Sequence, residues 1–286
     1  MQRSVVIQGV TIFVLILVTF VIWHAVIREA KAETLTVTFL DIGQGDSIFI
    51  EAPSGWQLLI DGGKNRAVIR QLSRVMPWYD RTIDVVIGTH PDADHIGGLP
   101  DVLSRYKVGL IIESSVQDPE GADSAALERA ASHEEGAQRL TAERGQIIDL
   151  GKGAYLEILF PDRPVPKLET NTGSIVARLV YGDTSFMLTG DSPKAIEEYL
   201  VRLDGDALKS NILKAGHHGS RTSSDISFVG FVSPAYGIYS RGCDNSYGHP
   251  HQETVDTFAR LAIPTLDTCE EGNITFVSDG KTVVHK

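Results

Sequence analysis

Four side chains that bind metal ions are concentrated in the ten residues "THPDADHIGG", numbered 89–98. From His90 the pattern reads His-x-Asp-x-Asp-His, so imidazole nitrogens and carboxylate oxygens share six positions. Zinc and manganese take these two kinds of ligand. In an extended segment His90 and Asp92 can face one ion, while Asp94 and His95 serve a second one. The stretch therefore predicts a site for two divalent ions, against the alternative of aspartates that cap a helix.

Further motifs set polar residues beside predicted strands: "LTGD" ends at Asp191, "LKAGHHGS" holds His217 and His218, and "NSYGHP" holds His249. Asp191 can bridge two ions because a carboxylate has two oxygens, although it can also cap the helix that follows. Water between two cations loses a proton near neutral pH and becomes a nucleophile. The alternative for His249 is a turn residue, and Asn171 in "ETNTGS" is either a turn residue or a ligand.

Strands and helices must bring these motifs together. Alternating threonines and apolar residues over 34–39 predict a half-buried strand, and "IDVVIGT", 83–89, predicts a buried strand that leads into the first motif. Residues 66–76 and 121–145 predict helices. Because two runs of strands are separated by helices, we expect two sheets stacked between outer helices. The glycines at 97–98 should let neighbouring backbone approach closely.

The first part of the chain predicts a membrane segment. Residues 4–27 hold no Asp, Glu, Lys or Arg, and a run of this length can cross the hydrocarbon core as a helix. The positive flank at Arg3 favours an amino terminus in the cytoplasm and residues 34–286 outside it. We therefore divide the chain into an anchor, 1–33, and a domain, 34–286. The alternative is a secreted protein, cleaved near Ala32 in "AKA".

Charge and cysteine content limit the function. The 286 residues carry a formal net charge of −11, which argues against binding nucleic acid through bulk electrostatics. A nuclease is not excluded, because bound divalent cations reverse the local sign. Cys243 and Cys269 are too few for a disulfide framework. They form either one bridge or two unpaired core residues.

Six motifs occur here in the order "FLDIGQGDS", "DGG", "THPDADHIGG", "NTGSIVARLVYGDTSFMLTGD", "LKAGHHGS" and "NSYGHP". In this order they resemble the metallo-β-lactamase superfamily, and most closely the C-terminal metallohydrolase domains of the ComEC-like DNA-uptake proteins. The resemblance covers about residues 34–284. It implies an α/β fold, the αββα metallo-β-lactamase sandwich, in which two mixed β-sheets lie between outer helices, here preceded by one N-terminal transmembrane helix. It also implies a dinuclear metal site along one edge of the sheets.

The resemblance assigns a role to each motif residue. It implies the metal ligands His90, Asp92, Asp94, His95, Asp191 and His218, with Asp191 as the bridge. Asp94, His217 and His249 become the catalytic candidates, since His217 would lie close to substrate and His249 would contact the scissile phosphate. The choice between His217 and His218 as the ligand stays open. Asp61, in "DGG", matches a carboxylate that orients a ligand histidine.

The chain departs from the broad superfamily at two positions of the first metal site. Asp92 stands where the superfamily has a second histidine, a change that the ComEC-like branch shares. The added oxygen ligand makes manganese a rival to zinc. No histidine ligand is apparent between residues 95 and 191, because His133 lies in the predicted Ala/Glu-rich helix. The first site is therefore open, weakly held, or completed by water or Asn171.

Together these features predict a membrane-anchored, extracytoplasmic hydrolase that depends on two divalent ions, Zn²⁺ or Mn²⁺. The expected activity is that of a phosphodiesterase or nuclease with a metal-bridging hydroxide. DNA, a small phosphodiester and a cell-wall polymer remain alternative substrates, and a non-phosphate ester or lactam is the weaker choice. The competing hypothesis is a non-catalytic binding or assembly module. Either protein would associate with the membrane through residues 4–27. The expected partners are a separate membrane channel protein of DNA uptake or another component of the cell envelope.

Overall fold

The computed structural model describes residues 2–31, 33–134 and 136–286, with side chains for 8–23, 33–134 and 136–286. One mixed sheet is formed by β1 (Leu35–Phe39), β2 (Ile48–Glu51), β3 (Gln57–Ile60), β4 (Thr82–Gly88), β5 (Lys107–Glu113), β6 (Gln138–Thr141), β14 (Ile274–Ser278) and β15 (Val283–His285). Its spatial order is β15-β14-β1-β2-β3-β4-β5-β6.

A second mixed sheet has the order β13-β12-β11-β10-β9-β8-β7. Its strands are β7 (Ile147–Gly151), β8 (Ala154–Phe160), β9 (Val176–Tyr181), β10 (Thr184–Leu188), β11 (Ile212–Lys214), β12 (Tyr236–Tyr239) and β13 (Thr265–Asp267). The helices are α1 (Gln2–Lys31), α2 (Ala67–Val75), α3 (Ala93–Ile96), α4 (Leu99–Arg105), α5 (Ala122–His133), α6 (Lys194–Asp204), α7 (Ile226–Val232), α8 (Gln252–Arg260) and α9 (Thr268–Glu271).

The core has three layers, and strand β4 shows how the sequence builds two of them. Val85 and Ile87 are fully buried between the two sheets. Val86 points to the opposite face and packs in a second cluster with residues of α2, α4 and α5. A strand buried on both faces reads as a continuous apolar run, as "VVI" does. A third cluster packs residues of α6, α7 and α8 on the second sheet, so the predicted two sheets between outer helices are confirmed.

Parallel strands bring the polar motifs to one edge. In the first sheet β3 is parallel to β4, and in the second β10, β11 and β12 are parallel to one another. The carboxyl ends of parallel neighbours lie at the same edge of a sheet, where α/β folds concentrate polar chemistry. Predicted site residues begin within three residues of the ends of β4, β10 and β11, and His249 lies in the longer loop after β12.

The helix predicted over residues 121–145 is wrong in its second half. Helix α5 ends at His133, and residues 138–141 form the edge strand β6. Gly136 has φ +88°, a left-handed conformation that no helix continues through. Strand β6 pairs in parallel with β5. The local composition favours a helix, but pairing with an existing sheet edge satisfies the backbone there instead.

The folded domain does not cover the side chains of α1 that the structure describes. Residues 8–23 are all exposed, including Trp23. Over the described residues, no helix combines the length and apolar character that crossing a membrane requires. Ala32, the predicted cleavage point, lies outside the described residues, as do the side chains of 4–7 and 24–27 of the predicted anchor. The boundary between the predicted anchor and domain stays a prediction.

Candidate metal centre

The candidate site lies where the two sheets meet at their shared edge. Strand β3 leads into Asp61, β4 into the first motif, β10 into Asp191, β11 into the paired histidines, and β12 into the loop that carries His249. Segments distant in sequence therefore converge on one point. The close backbone approach predicted for residues 97–98 is confirmed, because a Cβ on Gly98 would lie 2.1 Å from the Gly62 carbonyl oxygen.

Two of the buried histidines have their Nδ1 atoms fixed by the protein. The Nδ1 of His95 lies 2.8 Å from Asp61 Oδ2 and donates to it, because a carboxylate can only accept. The Nδ1 of His218 donates to the carbonyl oxygen of Ser240 at 2.8 Å. A histidine held in this way presents Nε2 as its free lone pair. Asp61 therefore has the orienting geometry that the resemblance implies for it.

The third buried histidine, His90, has the same arrangement. Its Nδ1 lies 3.0 Å from the hydroxyl of Ser174. The Nε2 atoms of His90, His95 and His218 are all buried, and within the described residues none has a hydrogen-bond partner. Buried polar atoms without partners are uncommon in native proteins. Three such nitrogens around one point indicate a bound group that accepts lone pairs.

Asp191 lies at that point. Its Oδ1 is 3.2 Å from His95 Nε2, and its Oδ2 is 3.4 Å from His218 Nε2 and 4.0 Å from His90 Nε2. Burial raises the pKa of Asp191, but the charges of His218 and His95 outweigh it and hold the pKa well below its usual value. Helix α6 begins at Lys194 with Pro193 as its N-cap residue. Asp191 is thus directed into the site and does not cap this helix.

The two aspartates of the first motif lie on different sides of Asp191. Asp92 Oδ2 is 3.7 Å from His90 Nε2, and Asp94 Oδ2 is 3.4 Å from His218 Nε2. Asp92 occupies the N-cap position of α3, but its side chain makes no capping hydrogen bond. Burial raises the pKa of Asp94, but the contact with His218 and the charge of His95 outweigh it and lower the pKa below its usual value. Both carboxylates are thus ionised and available as ligands.

These donor atoms fit divalent metal ions. Ligand atoms about 2.1 Å from a tetrahedral ion lie about 3.4 Å from one another. The atom pairs His95–Asp191, His218–Asp94 and His218–Asp191 are separated by 3.2, 3.4 and 3.4 Å. His90 with Asp92 forms one group of donors, and Asp94 with His95 and His218 forms another. Asp191 is within reach of both. The distances among Asp94, His95, Asp191 and His218 match those expected around an ion, whereas the His90 contacts with Asp92 and Asp191 are longer, at 3.7 and 4.0 Å.

Sequence reasoning missed a buried ion pair behind this centre. Asp46, His95, Asp191 and His218 form a buried group in which one ligand atom of each lies within 4.8 Å of the others. Asp46 Oδ1, however, lies 3.2 Å from His218 Nδ1, and its Oδ2 lies 2.5 Å from Lys214 Nζ. Asp46 thus faces the outer nitrogen of His218. We read it as an orienting carboxylate like Asp61.

Lys214 is fully buried beside the site. Its Nζ donates to the carbonyl oxygen of Gly190 at 2.8 Å and lies 3.5 Å from Asp191 Oδ1. Burial lowers the pKa of Lys214, but the charges of Asp46 and Asp191 raise it above the ordinary value. The lysine is therefore a permanent positive charge among several carboxylates. Its sequence signal is a charged residue inside the otherwise apolar strand "NILKAG".

His217 and His218 differ in their surroundings although they are adjacent. Their Nε2 atoms lie 3.5 and 3.4 Å from Asp191 Oδ2. His218 is buried, whereas the His217 side chain is 26% exposed and its Nδ1 contacts the Thr222 hydroxyl. This difference favours His218 as the ligand and leaves His217 nearer to solvent.

Three of the seven described residues other than glycine that have positive φ lie at the site. Asp61, His217 and His218 have φ values of 60°, 49° and 55°. Residues other than glycine rarely adopt this left-handed backbone conformation, and each instance costs on the order of 1–3 kcal/mol of stability. Such conformations persist where the surrounding structure enforces them, as at functional sites. The strain directs all three side chains toward the candidate centre.

His249 stands at the mouth of the site. Its ring centroid is 5.5 Å from that of His217 and 6.2 Å from that of His218. Asn245 fixes its backbone by accepting from the His249 amide and donating to its carbonyl oxygen. Burial, followed by the charges of His218 and His217, lowers the pKa of His249 to about 4. The ring is therefore neutral at pH 7.

Asn171 adjoins the donors of the first group. It lies in a 3₁₀ turn, Asn171–Gly173, whose flanking residues reach the site. A hydrogen bond from Thr170 contributes to lowering the pKa of Asp92, after burial and the contact with His90, and Ser174 contacts His90. Among the described residues, the buried Oδ1 of Asn171 has no hydrogen-bond partner. His133 lies in α5 with an exposed side chain that contacts Arg129.

A groove opens from the His90 end of the site. It encloses about 990 Å³, and its lining includes His90 and Pro91. Its charged lining residues are Glu113, Asp118, Glu128, Arg139 and Glu143. Arg139 is paired with Glu113 at 2.8 Å and Glu128 at 2.7 Å. The groove is therefore acidic overall.

The two cysteines form a disulfide, which decides between the alternatives that the sequence left open. Cys243 is bonded to Cys269 over a separation of 26 residues. Cys243 lies in the loop between β12 and α8, and Cys269 lies in α9. The bridge therefore ties the loop that carries His249 to the body of the domain.

Fold and site together define a metallohydrolase scaffold, and comparison with known proteins identifies it. Residues 40–258 match the metallo-β-lactamase superfamily, so the chain belongs to that superfamily. The solved structure of Igni18, a metallo hydrolase from Ignicoccus hospitalis, is similar in fold, with a TM-score of 0.53 at 14% identity over 85% of this chain and 98% of that one.

The chain is similar, more specifically, to ComEC-like proteins, as the motifs predicted. It is 31% identical over 264 residues to ComE operon protein 3 of Bacillus subtilis, covering 84% of this chain and 32% of the relative. It is 32% identical over 268 residues to Competence protein ComA of Neisseria gonorrhoeae, covering 92% of this chain and 35% of the relative. The chain thus spans about a third of the length of the curated relatives it matches.

Proposed function

We propose that this chain is a divalent-metal-dependent phosphodiesterase. The observation that carries the proposal is the set of three buried Nε2 atoms, on His90, His95 and His218, that surround Asp191 without hydrogen-bond partners in the described structure. Together with Asp92 and Asp94 they supply the mixed nitrogen and oxygen donors that Zn²⁺ and Mn²⁺ accept.

The position of each residue in the site would decide its role in the reaction. Divalent ions, when bound, supply Lewis-acid chemistry that polarises a phosphoryl group and acidifies water. Asp61 holds the His95 ring, and the Ser240 carbonyl holds the His218 ring, so that their free nitrogens stay directed inward. His217 and the neutral His249 line the mouth, where an imidazole N–H can donate a hydrogen bond to a phosphate oxygen.

Asn171 would complete the donors around His90 and Asp92. Its Oδ1 is buried and unpartnered among the described residues, and its neighbours Thr170 and Ser174 reach Asp92 and His90. An amide oxygen in place of an imidazole nitrogen makes this ligand set harder. Manganese therefore becomes as suitable as zinc at this position.

Phosphodiester bonds of nucleic acid are the substrate we favour. One relative is named a competence protein, and the motifs resemble those of DNA-uptake proteins. A small phosphodiester and a cell-wall polymer would suit the same donors. The net charge of −11 is compatible with an anionic substrate only because two divalent cations would dominate the field at the site.

We also propose that residues 4–27 anchor the chain in the membrane, with the domain on the extracytoplasmic side. The exposed side chains at 8–23 are mostly apolar, and the Cys243–Cys269 bridge fits an oxidising compartment. Secretion after cleavage near Ala32 is the alternative.

Protease treatment of intact cells separates these arrangements from an internal domain, because only an external domain is digested. A separate membrane channel protein would be the partner of an anchored enzyme.

The activity test uses the full-length protein in mild detergent, stripped of metal and reloaded with Zn²⁺ or Mn²⁺. Substrates are bis(p-nitrophenyl) phosphate and fluorescent single- and double-stranded DNA. Asp94→Asn removes one ligand charge at the site, and Asp183→Asn makes the same change in the exposed turn between β9 and β10. We expect metal-dependent turnover in the wild type and the Asp183 variant, and its loss in the Asp94 variant.

Metal content, measured on the same samples, makes the negative outcomes distinct. Bound metal without turnover of any phosphodiester would contradict the phosphodiesterase and direct the search to other esters. Absence of stoichiometric metal together with absence of turnover would favour the binding or assembly module.

A further inference from the structure

We propose that Tyr247 is a stacking platform for the nucleobase next to the scissile phosphodiester. This inference rests on the proposed function and specifies how its substrate is held. Tyr247 lies in the β12–α8 loop, two residues before His249. Its ring stacks on the His249 ring with a centroid separation of 5.6 Å and an interplanar angle of 20°.

The exposure of this ring is what makes it available to a ligand. One face of Tyr247 is covered by His249, yet the residue remains 61% exposed, so much of its remaining surface is open. His249 itself is only 7% exposed. A planar aromatic surface therefore continues outward from the mouth of the site. Bases of every sequence can stack on such a surface, which suits sequence-independent binding.

A succession of rings connects this surface to the candidate metal donors. Centroid separations are 5.2 Å from His95 to His218, 6.2 Å from His218 to His249, and 5.6 Å from His249 to Tyr247. A base on the outer face of Tyr247 would thus lie one ring beyond His249. Because His249 is placed to contact the phosphate, the stacked base would belong to a nucleotide adjoining that phosphate.

Charge gives the direction in which a polyanionic chain can leave the site. The groove at the His90 end is lined by Glu113, Glu128 and other carboxylates, which repel phosphates. At the opposite end the exposed Arg221 follows the histidine loop. Its guanidinium lies 3.9 Å from Glu253, and its amide donates to His251 Nδ1. The His251 ring in turn contacts His249 at a centroid separation of 4.9 Å. The Tyr247 end, where charges of both signs lie together, therefore repels a nucleic-acid strand less than the acidic groove does.

The test compares two single-stranded oligonucleotides of equal length and charge, one of thymidines and one of abasic tetrahydrofuran residues. They differ only in the presence of bases. With the metal-loaded full-length protein, we expect about a tenfold preference in kcat/KM and in binding affinity for the thymidine strand, given the usual strength of base–aromatic stacking. Binding is read by fluorescence anisotropy, so the test does not depend on turnover.

Three variants separate stacking from structural effects. Tyr247→Ala should lose the preference by weakening binding of the thymidine strand alone, whereas Tyr247→Phe, which keeps the ring, should retain it. Trp78→Ala removes another exposed aromatic ring, 83% exposed and preceding the amino end of β4, at the edge away from the site. It should leave the preference unchanged.

The outcomes distinguish this inference from the proposed function. Hydrolysis of both strands with equal kcat/KM in the wild type, or a preference that survives Tyr247→Ala, would overturn the stacking platform and leave the phosphodiesterase standing. A binding preference that depends on Tyr247 without any hydrolysis would support the platform and contradict the phosphodiesterase. Equal weakening of both strands by Tyr247→Ala would assign Tyr247 a merely structural role.

Discussion

At the scale of single residues, each histidine of the candidate centre uses one nitrogen for the protein and directs the other at Asp191. The hydrogen bonds at Nδ1 fix the orientation of the rings before any ion binds. Asp61 is the clearest example, because it accepts from His95 Nδ1 and also from the amide and hydroxyl of Thr89. Its contribution to a metal site would act through His95.

Asp61→Asn is expected to lower metal affinity about 10- to 100-fold, the usual effect of losing a carboxylate behind a ligand histidine. The amide cannot supply the negative charge that keeps the imidazole proton on Nδ1. Competition with a chromophoric chelator measures the change. The exposed Asp183→Asn variant should retain wild-type affinity, and equal affinity in all three proteins would contradict the orienting role of Asp61.

Lys214→Met tests the charge balance behind the site. It leaves Asp46 buried without its cation, a change that typically costs about 3–5 kcal/mol. For a domain of this size we expect the Tm of the metal-free protein to fall by about 10 °C. Bound divalent ions should reduce the loss, since they add positive charge nearby. Thermal melts with and without Mn²⁺ measure both effects.

Lys209→Met provides the comparison, because Lys209 is exposed just before β11. It should change the Tm little under either condition. A Tm for Lys214→Met that equals that of the Lys209 variant would show that the buried ion pair is not needed for stability.

At the scale of elements, loops at the carboxyl ends of strands carry the chemistry, and the loop between β12 and α8 needs a constraint. The β12–α8 loop carries Tyr247 and His249, and the disulfide ties it to α9. Without the bridge, the loop would be held to the domain by contacts such as those that Arg241 donates to Asp267 and Thr268. The loop that positions the mouth of the site is thus coupled to the redox state of one cysteine pair.

The double variant Cys243→Ser, Cys269→Ser should reduce the free energy of unfolding by about 3 kcal/mol, as loop-closure entropy gives for this separation. Urea unfolding with and without reductant measures the effect. Reductant should lower the midpoint of the wild type and leave the double variant unchanged. A wild-type midpoint that is insensitive to reductant would contradict this contribution.

At the scale of the whole molecule, the buried histidines couple metal binding to the pH dependence of stability. In the metal-free protein, burial lowers the pKa of His95 and of His218, but the charge of Asp191 and then those of Asp61 and Asp46 respectively raise both well above 6.5. The folded state therefore binds more protons than the unfolded state above that pH. Such groups stabilise the fold below pH 6.5, and the stability is lost as the pH rises through the folded pKa values.

We therefore expect the free energy of unfolding of the metal-free protein to fall as the pH rises above about 7. Burial raises the pKa of Glu197 to about 8, which adds a slope of the same sign. His217 and His249 have lowered pKa values and titrate below this range. Urea midpoints in the presence of a chelator measure the fall.

Metal changes the expected slope. His95 and His218 must be deprotonated to bind an ion, so in the Mn²⁺-loaded protein they no longer contribute. Only the smaller slope from Glu197 should remain. Identical slopes with chelator and with Mn²⁺ would contradict the participation of these two histidines in metal binding.

The sequence predicted the sheets best where strands are buried on both faces, and it failed where local composition and pairing disagree. "IDVVIG" admits little but a buried strand. Residues 138–141 follow an Ala/Glu-rich helix, and only the exposed edge of β5 makes them a strand. The motif residues His90, Asp92, Asp94, His95, Asp191 and His218 could be named from spacing and resemblance, because their side chains have few other roles in such a pattern.

By itself the sequence determined the superfamily and the set of candidate metal-binding side chains, since short local motifs specify both. Only the tertiary structure decided which nitrogen each histidine keeps free, that Lys214 and Asp46 form a buried pair behind the site, and that Cys243 is bonded to Cys269. These contacts join strands and loops that are far apart in the chain. No local pattern specifies them, because they follow from how two twisted sheets pack and from which buried groups must then find partners.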